Sequence, residues 1–381
     1  MRLAETSAPP TRSDSSQRVG QSVAVIGLGN IGLFTAQLVA RMPEVSRVVL
    51  VDKDVTAWKN RIGQDFTARE SRAAAPKVFL ARRRLHAIRP DLEVVALHGA
   101  VEDMPRGLLQ TDLLLACLDS KRARMAVNEI AWRLGVPWLD AGVQADGLLA
   151  RLNVYVPGPD VPCLECAWDD RSYAQVEQVV PCQGAAPVVP PTNAPACLGS
   201  LAASLQALTA GHVLTGQLDR LATGRQMVLD ARARRCYDAA LRHNPACRFD
   251  HQTWAITPLR ASARELTVAE ALRLGRRGRR VDPQAALAAE PMSFVRALAC
   301  PCGGRRELLR LSGRLPARLA ACPQCGRPMQ PFAFGTFSQL SAQEFTAAEL
   351  RRPLAQLGFR PGDVFSVIHA DKRFHAQLPL A

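Results

Sequence analysis

The sequence predicts an α/β protein: a doubly wound, mostly parallel sheet with an antiparallel extension, followed by a small cysteine-built C-terminal module. Three observations carry that expectation. Short apolar runs alternate with helix-forming stretches through residues 21–143, as parallel βα units require. A glycine turn, Gly27-Leu28-Gly29-Asn30-Ile31-Gly32, separates the first run from the first helix. Near the C-terminus, Cys300-Pro301-Cys302 and Cys322-Pro323-Gln324-Cys325 enclose nineteen residues.

The bulk properties narrow the class. A length of 381 residues suits one large domain and one or two small ones. With 48% hydrophobic residues and no apolar run of about 18 residues, the chain reads as soluble and globular, with no membrane partner. The first twenty residues, rich in Ser, Thr, Pro and Arg, read as a disordered tail rather than a secretory signal. The net charge of +14 is spread over scattered arginines, which favours solvated helix faces, with an acidic protein or phosphate ligand as the second reading. Aromatics at 5% are too sparse for base-stacking platforms, so no nucleic-acid partner is expected.

Taken in order, Val23-Ala24-Val25-Ile26 reads as a buried strand, residues 33–41 as a helix, and residues 47–51 as a second strand ending at Asp52. The glycines let backbone N–H groups approach phosphate oxygens at a helix N-terminus. Asp52, twenty residues after Gly32, stands where a carboxylate can accept hydrogen bonds from a ribose. Strand, glycine turn, helix, strand and acid together indicate a Rossmann-like nucleotide site without distinguishing NAD, FAD and ATP. The polar cluster Asp54, Asn60, Arg61 and Gln64 follows at the ligand-binding edge of the strands. Residues 76–89 read as a helix with Pro76 in its first turn and Lys77 beside it. Strands are expected at 92–97, 112–118 and 137–143, with Asp119 leaving the fourth strand and a helix over 120–134.

The pattern then changes. Residues 147–156 read as extended chain, 181–197 as a Pro-, Ala- and Cys-rich loop, 198–217 as an apolar helix and 226–230 as a late strand. The domain layout is therefore a tail at 1–20, a nucleotide-binding domain at 21–255, a helical connector at 256–295, the four-cysteine module at 296–330 and a small extension at 331–381. Within the connector a helix is expected over 261–274; within the extension, a helix over 346–358 and a strand over 363–368.

By Asp119 the order of polar residues resembles the ThiF/MoeB/ubiquitin-activating (HesA/MoeB/ThiF) adenylyltransferase family, over roughly residues 21–251. The resemblance implies ATP held by Gly27, Gly29, Gly32 and Asp52, with Asp54, Asn60 and Gln64 completing the nucleotide set. The family's arginine just before that glutamine is replaced by Gly63, and Arg61, two positions earlier, is the candidate substitute. Lys77 matches the phosphate-binding lysine and Asp119 the acid near Mg²⁺ and the adenylate, with Arg124 and Asn128 at the usual spacing and Ser120 in place of the usual asparagine. The implied reaction adenylates the C-terminal glycine of a small ubiquitin-like or sulfur-carrier protein and releases pyrophosphate. A homodimer, a conjugating enzyme as further partner and a cytoplasmic location go with it. The extra C-terminal parts lean toward a bacterial ubiquitin-like conjugation pathway rather than sulfur transfer. Independently of the family, Asp119 also suits an N-cap for the 120–134 helix.

Eleven cysteines in a reducing compartment favour thiolate–metal ligation over disulfides. The family resemblance implies a zinc site from Cys163, Cys166 and Cys247, in which His251 replaces the missing fourth cysteine and Asp250 is the runner-up. Cys300, Cys302, Cys322 and Cys325 form a Cys₄ zinc-ribbon or knuckle pattern whose folding free energy the Zn²⁺ would supply. Cys117 reads as plain core. Cys182 and Cys197 bracket the proline-rich loop, where related enzymes carry a cysteine that takes the carrier protein; Cys182 is preferred, and an enzyme without a covalent cysteine is the alternative. Two readings from other classes compete. An NAD-dependent oxidoreductase explains the glycine turn and Asp52 but not Lys77, Asp119 or the cysteine pairs. A non-enzymatic zinc-binding scaffold rests on Gly63 and Ser120 alone.

Overall fold

In the central strand β1 (Gln21–Ile26), Val23 and Val25 face one hydrophobic core while Ala24 and Ile26 face another. A strand buried on both faces has no polar side, which is why the sequence reads there as an unbroken apolar run. The computed structural model describes residues 20–177, 194–217, 224–276, 280–332, 335–370 and 372–380. The tail at 1–19 and the loop carrying Cys182 lie outside the described residues.

After β1 come α1 (Gly32–Val39), β2 (Val45–Asp52), α2 (Ala68–Arg72), α3 (Lys77–Ile88) and β3 (Glu93–His98). β4 (Leu113–Ala116), α4 (Lys121–Leu134), β5 (Trp138–Gln144), β6 (Leu149–Tyr155), α5 (Asp170–Glu177), α6 (Ala196–Leu214), β7 (Arg225–Asp230) and β8 (Arg235–Ala240) complete the first domain. The strands form one sheet in the order β3-β2-β1-β4-β5-β6-β7-β8. It is parallel from β3 to β5 and antiparallel from β5 to β8. β8, wholly exposed, is a strand that the sequence pattern did not reveal. α1, α3 and α6 cover one face, and α4 the other.

Ile26 pairs with Val51 on one side and Ala116 on the other, so β1, β2 and β4 end level. The chain steps outward from β1 to β2 and β3, then crosses back from β3 to β4 on the other side of β1, and that reversal opens the crevice where such sheets bind ligands. α6 is long and apolar enough by length and composition to cross a membrane, yet 56% of that window is buried within the fold. Its one buried amide explains the placement. Gln206 donates from Nε2 to Ala116 O at 3.2 Å and Leu139 O at 3.1 Å, and Thr35 donates to its Oε1 at 3.0 Å. Those bonds tie the helix across β4 and β5.

Residues 256–295 are not a helical connector. They hold β9 (Ile256–Pro258), the single turn α7 (Val268–Ala271), β10 (Ala286–Ala288) and the start of β11 (Phe294–Ala299). The helix expected over 261–274 is cut because Glu265 caps Ser262, and a new capping box starts at Thr267 with Glu270. Local caps of this kind compete with continuous helix. Then follow β12 (Arg305–Leu311), α8 (Ala317–Ala320), β13 (Gln330–Pro331), β14 (Thr336–Phe337), β15 (Gln339–Ser341), α9 (Ala347–Leu350), α10 (Leu354–Leu357), β16 (Val364–His369) and β17 (Lys372–Gln377). α9 and α10 replace the single helix expected over 346–358; Pro353 has no N–H to continue it.

β9 and β10 enter a five-stranded sheet, β15-β10-β16-β17-β9, with strands from the C-terminal extension. The expected connector and extension are thus one structural unit with a shared core that includes Leu272, Leu287, Phe294, Leu340 and Phe365. The cysteine module is looped out of it on the β12-β11-β13 sheet, around a separate small core of Val295, Leu298 and Met329.

Candidate nucleotide site and metal centres

A cavity of about 900 Å³ opens where β1, β2 and β4 end. Gly27 has φ +88°, and a Cβ there would stand 2.6 Å from Cys117 O. A Cβ on Gly32 would lie 1.7 Å from Gly27 O, so only glycine lets α1 start this close to the turn. Gly29 lines the cavity, and a Cβ on it would meet no protein atom within 4 Å. That open side lets a ligand approach the backbone. Gly32 itself lies behind the turn and supports it.

Asp52 closes one flank. Its Oδ2 accepts from Leu28 N at 2.5 Å and its Oδ1 from Asp54 N at 2.7 Å, so the carboxylate also shapes the glycine turn. Burial pushes its pKa up, opposed by Lys77 and these two backbone N–H groups. Lys77 is buried at 3% exposure yet borders the cavity, and its Nζ pairs with Asp54 Oδ2 at 2.9 Å. Asn60 and Gln64 complete this side. Gln64 Oε1 and Asn30 Oδ1 are buried at the cavity with no hydrogen-bond partner among the described residues. Buried polar atoms of this kind are costly unless a ligand or water satisfies them.

Across the crevice stands Asp119, exposed and without a hydrogen-bond or ion-pair partner among the described residues. It is not the cap of α4. Ser120 is, accepting from Ala123 N at 3.2 Å, and this leaves the Asp119 carboxylate free. Arg124 also lines the cavity; its Nε lies 2.9 Å from Asp140 Oδ1, and its Nη2 donates to Leu118 O at 2.6 Å. Asp140 is fully buried between Arg124 and Arg151 and was missed at the sequence level. A single acid inside the apolar run Trp138–Val143 was the available signal. Cys117 forms part of the floor, its thiol pushed up to about 12 by burial.

The structure brings Gly27, Gly29, Asp52, Asp54, Asn60, Gln64, Lys77 and Asp119 together around one cavity. Arg61 is not among them. Its guanidinium lies 4.0 Å over the Trp58 ring and donates to Trp58 O at 3.3 Å, because a one-turn 3-10 helix at Trp58–Arg61 directs it outward. Cys182 lies outside the described residues; Cys197 is exposed in the first turn of α6.

Both cysteine sets converge. Cys163, Cys166, Cys247 and His251 place one donor atom each within 4.8 Å of the others, as do Cys300, Cys302, Cys322 and Cys325. In the first set His251 Nε2 is 3.3 Å from Cys166 Sγ, and Cys163 Sγ is 3.8 Å from Cys247 Sγ. Asp250 is not the fourth donor, since Arg133 takes both its oxygens at 2.6 and 3.1 Å. In the second set a Cβ on Gly304 would stand 2.9 Å from Cys322 Sγ, so a glycine is needed for the thiols to meet. Four soft or borderline donors in a tight cluster suit tetrahedral zinc with no open position.

The chain resembles ubiquitin-like modifier-activating enzyme 5 of Aedes aegypti, 29% identical over 185 residues, covering 42% of this chain and 46% of that protein. The Gallus gallus enzyme of the same name is 29% identical over 160 residues, covering 38% and 39%. The chain thus spans less than half the length of these relatives. Among solved structures, E. coli MccB with ATP aligns with a TM-score of 0.47 and 18% identity, over 60% of this chain and 65% of that one. The ThiF family model matches residues 11–249, more than half of the chain, and the protein belongs to the ThiF family.

Proposed function

We propose that this protein uses ATP to adenylate the C-terminal carboxylate of a small ubiquitin-like or sulfur-carrier protein ending in glycine. The observation that carries the reading is the single cavity in which the glycine turn, the Lys77–Asp54 pair and the unpaired Asp119 meet. Family membership and the likeness to ubiquitin-like modifier-activating enzymes support it. The oxidoreductase reading accounts for the glycine turn and Asp52 but assigns no role to Lys77 and Asp119, which line the same cavity.

In the proposed reaction a substrate carboxylate oxygen attacks the α-phosphorus of ATP. A phosphorus–oxygen bond forms, the α–β anhydride bond breaks and pyrophosphate leaves with the electron pair. The glycine turn and the start of α1 would receive phosphate oxygens through backbone N–H groups. Asp52 would accept from the ribose hydroxyls, which its remaining lone pairs allow. Lys77, held by Asp54 against the cavity wall, would oppose charge on the phosphates; Asn60 and Gln64 would hold the nucleotide from the same side. Arg124, fixed by Asp140, would donate to the ligand from the far wall. The protein's contribution is position and field. Asp119 suits Mg²⁺, which takes few protein carboxylates together with phosphate oxygens and would neutralise triphosphate charge.

Transfer of the acyl group from the adenylate to the Cys182 sulfur as a thioester, in which the acyl–phosphate bond breaks, AMP leaves and the thiol proton passes to solvent, completes the reading. Homodimer formation, a conjugating enzyme as onward partner and a reducing cytoplasmic setting go with it. The experiment is ATP–pyrophosphate exchange by the full chain with candidate small proteins ending in Gly-Gly. Exchange that depends on the partner and is lost in Lys77→Ala supports adenylation. No exchange together with NAD binding supports the oxidoreductase, and neither nucleotide binding leaves a scaffold.

A further inference from the structure

We propose that Arg314, in the cysteine module's half of the molecule, is a positioning residue for the nucleotide cavity. The inference rests on the reading of that cavity as an ATP site. The chain leaving β3 runs from Gly99 to Glu102 along the cavity and forms a 3-10 turn, Val101–Asp103, and then a second, Arg106–Leu109. The first turn carries only the backbone bonds Asp103 N to Ala100 O at 3.1 Å and Met104 N to Val101 O at 3.2 Å. Isolated turns of this length are weakly held by their own bonds.

The outer side of this wall is gripped by the C-terminal unit. Arg314, 1% exposed, donates to Asp103 O from Nη2 at 2.7 Å and from Nε at 3.1 Å. Its remaining reach is fixed by both oxygens of Asp363 at 2.9 Å and by Gly358 O at 3.4 Å. The guanidinium fork therefore holds a carbonyl one residue beyond cavity-lining Glu102, while Asp363 sets the fork's orientation.

Two further contacts press the same segment. Gly107 N donates to Gly362 O at 2.8 Å, and a Cβ on Gly107 would lie 2.6 Å from Gln377 Nε2 and 2.7 Å from Gly362 O. Arg106 stacks on Trp254 at 4.7 Å, and Trp254 stacks on His375 of β17 at 4.2 Å.

The wall is tied to the Asp52 flank, where Gly99 N donates to Asp52 O at 3.1 Å. It also packs on α4 through Val101, Met104 and the Arg106–Glu129 pair at 2.9 Å, but no hydrogen bond or ion pair joins it to Asp119 among the described residues. Loss of the grip should therefore weaken nucleotide binding and leave the chemical step nearly unchanged. The test measures the dissociation constant of a non-hydrolysable ATP analogue, and KM and kcat for ATP in pyrophosphate exchange, on the full chain. One variant is the double change Arg314→Met with Asp363→Leu, which leaves no buried charge unpaired. The other is Gly107→Ala, which separates the same faces with Arg314 intact.

Both should raise the dissociation constant and KM about tenfold and leave kcat within about twofold. Arg314→Lys, which keeps the charge but not the fork, should fall between these and the wild type. Wild-type affinity in both folded variants, or a fall in kcat at constant KM, overturns the proposal. A wild-type chain that does not bind the analogue overturns the ATP reading beneath it, and so is told apart from failure of the proposal alone.

Discussion

The crevice of the eight-stranded sheet and the Arg314–Asp363 lock beside it are both rich in charge, yet they treat it in opposite ways. In the lock every oxygen of Asp363 and every nitrogen of Arg314 has a protein partner, and both side chains are at most 2% exposed. In the crevice Asp119 is unpaired, and Gln64 Oε1 and Asn30 Oδ1 are buried without partners among the described residues. A satisfied buried pair fixes geometry; unsatisfied polar groups gathered around a cavity mark where a ligand completes the structure.

The largest effect should come from the two candidate metal centres, one joining distant parts of the chain and the other closed within a short segment. Cys163 to His251 spans 88 residues and joins the α4 region to the chain entering β9, whereas Cys300 to Cys325 closes within 25. Cys247→Ser should lower the zinc content by one equivalent and reduce the stability of the first domain by on the order of several kcal/mol. Cys322→Ser should lower zinc equally but unfold chiefly residues 296–332, as read by hydrogen exchange. Equal exchange patterns in the two variants would break the distinction.

Next in size, Asp119→Ala should reduce exchange activity by at least about 10²-fold while the melting temperature stays near wild type. A large stability loss would place Asp119 with the satisfied groups of the lock instead. Adding an ATP analogue at about 100 times its dissociation constant should stabilise the protein by about 2.7 kcal/mol, measured as a rise in melting temperature. NAD at the same concentration should not.

The smallest effect concerns acid. Burial would raise Glu70, but the Arg84 hydrogen bonds and the Thr67 cap outweigh it and hold the carboxyl at about 2, below its usual 4.5. Because the folded pKa is depressed, the stabilisation is present above 4.5 and is lost as the pH falls from there through 2. Discounted for solvent screening, this amounts to about 1 kcal/mol, and Glu70→Gln should remove that part of the acid dependence of unfolding.

Much of the crevice was legible beforehand because its signals are local. The glycine turn, Asp52, Lys77 behind Pro76 and Asp119 at a strand exit each follow from a few neighbouring residues, and the structure gathers them around one cavity. Arg61 failed for a local reason as well: Trp58, three residues earlier, offers its ring to the guanidinium. The C-terminal unit was read less well. Its strands are short, and β9 and β10 pair with strands about 50 to 120 residues later, which periodicity within a window cannot reveal.

The sequence by itself determined the doubly wound domain, most of the side chains that line the cavity and the seven cysteines of the two clusters, because hydrophobic period, turn chemistry and cysteine spacing are short-range properties. Only the tertiary structure decided that His251 rather than Asp250 joins the three cysteines, since Arg133 approaches from another element and takes the aspartate. It alone also decided that Ser120 caps α4 and frees Asp119, and that Arg314 reaches Asp103, 211 residues away. Such choices depend on which groups meet across the folded chain, and no window of neighbouring residues contains both partners.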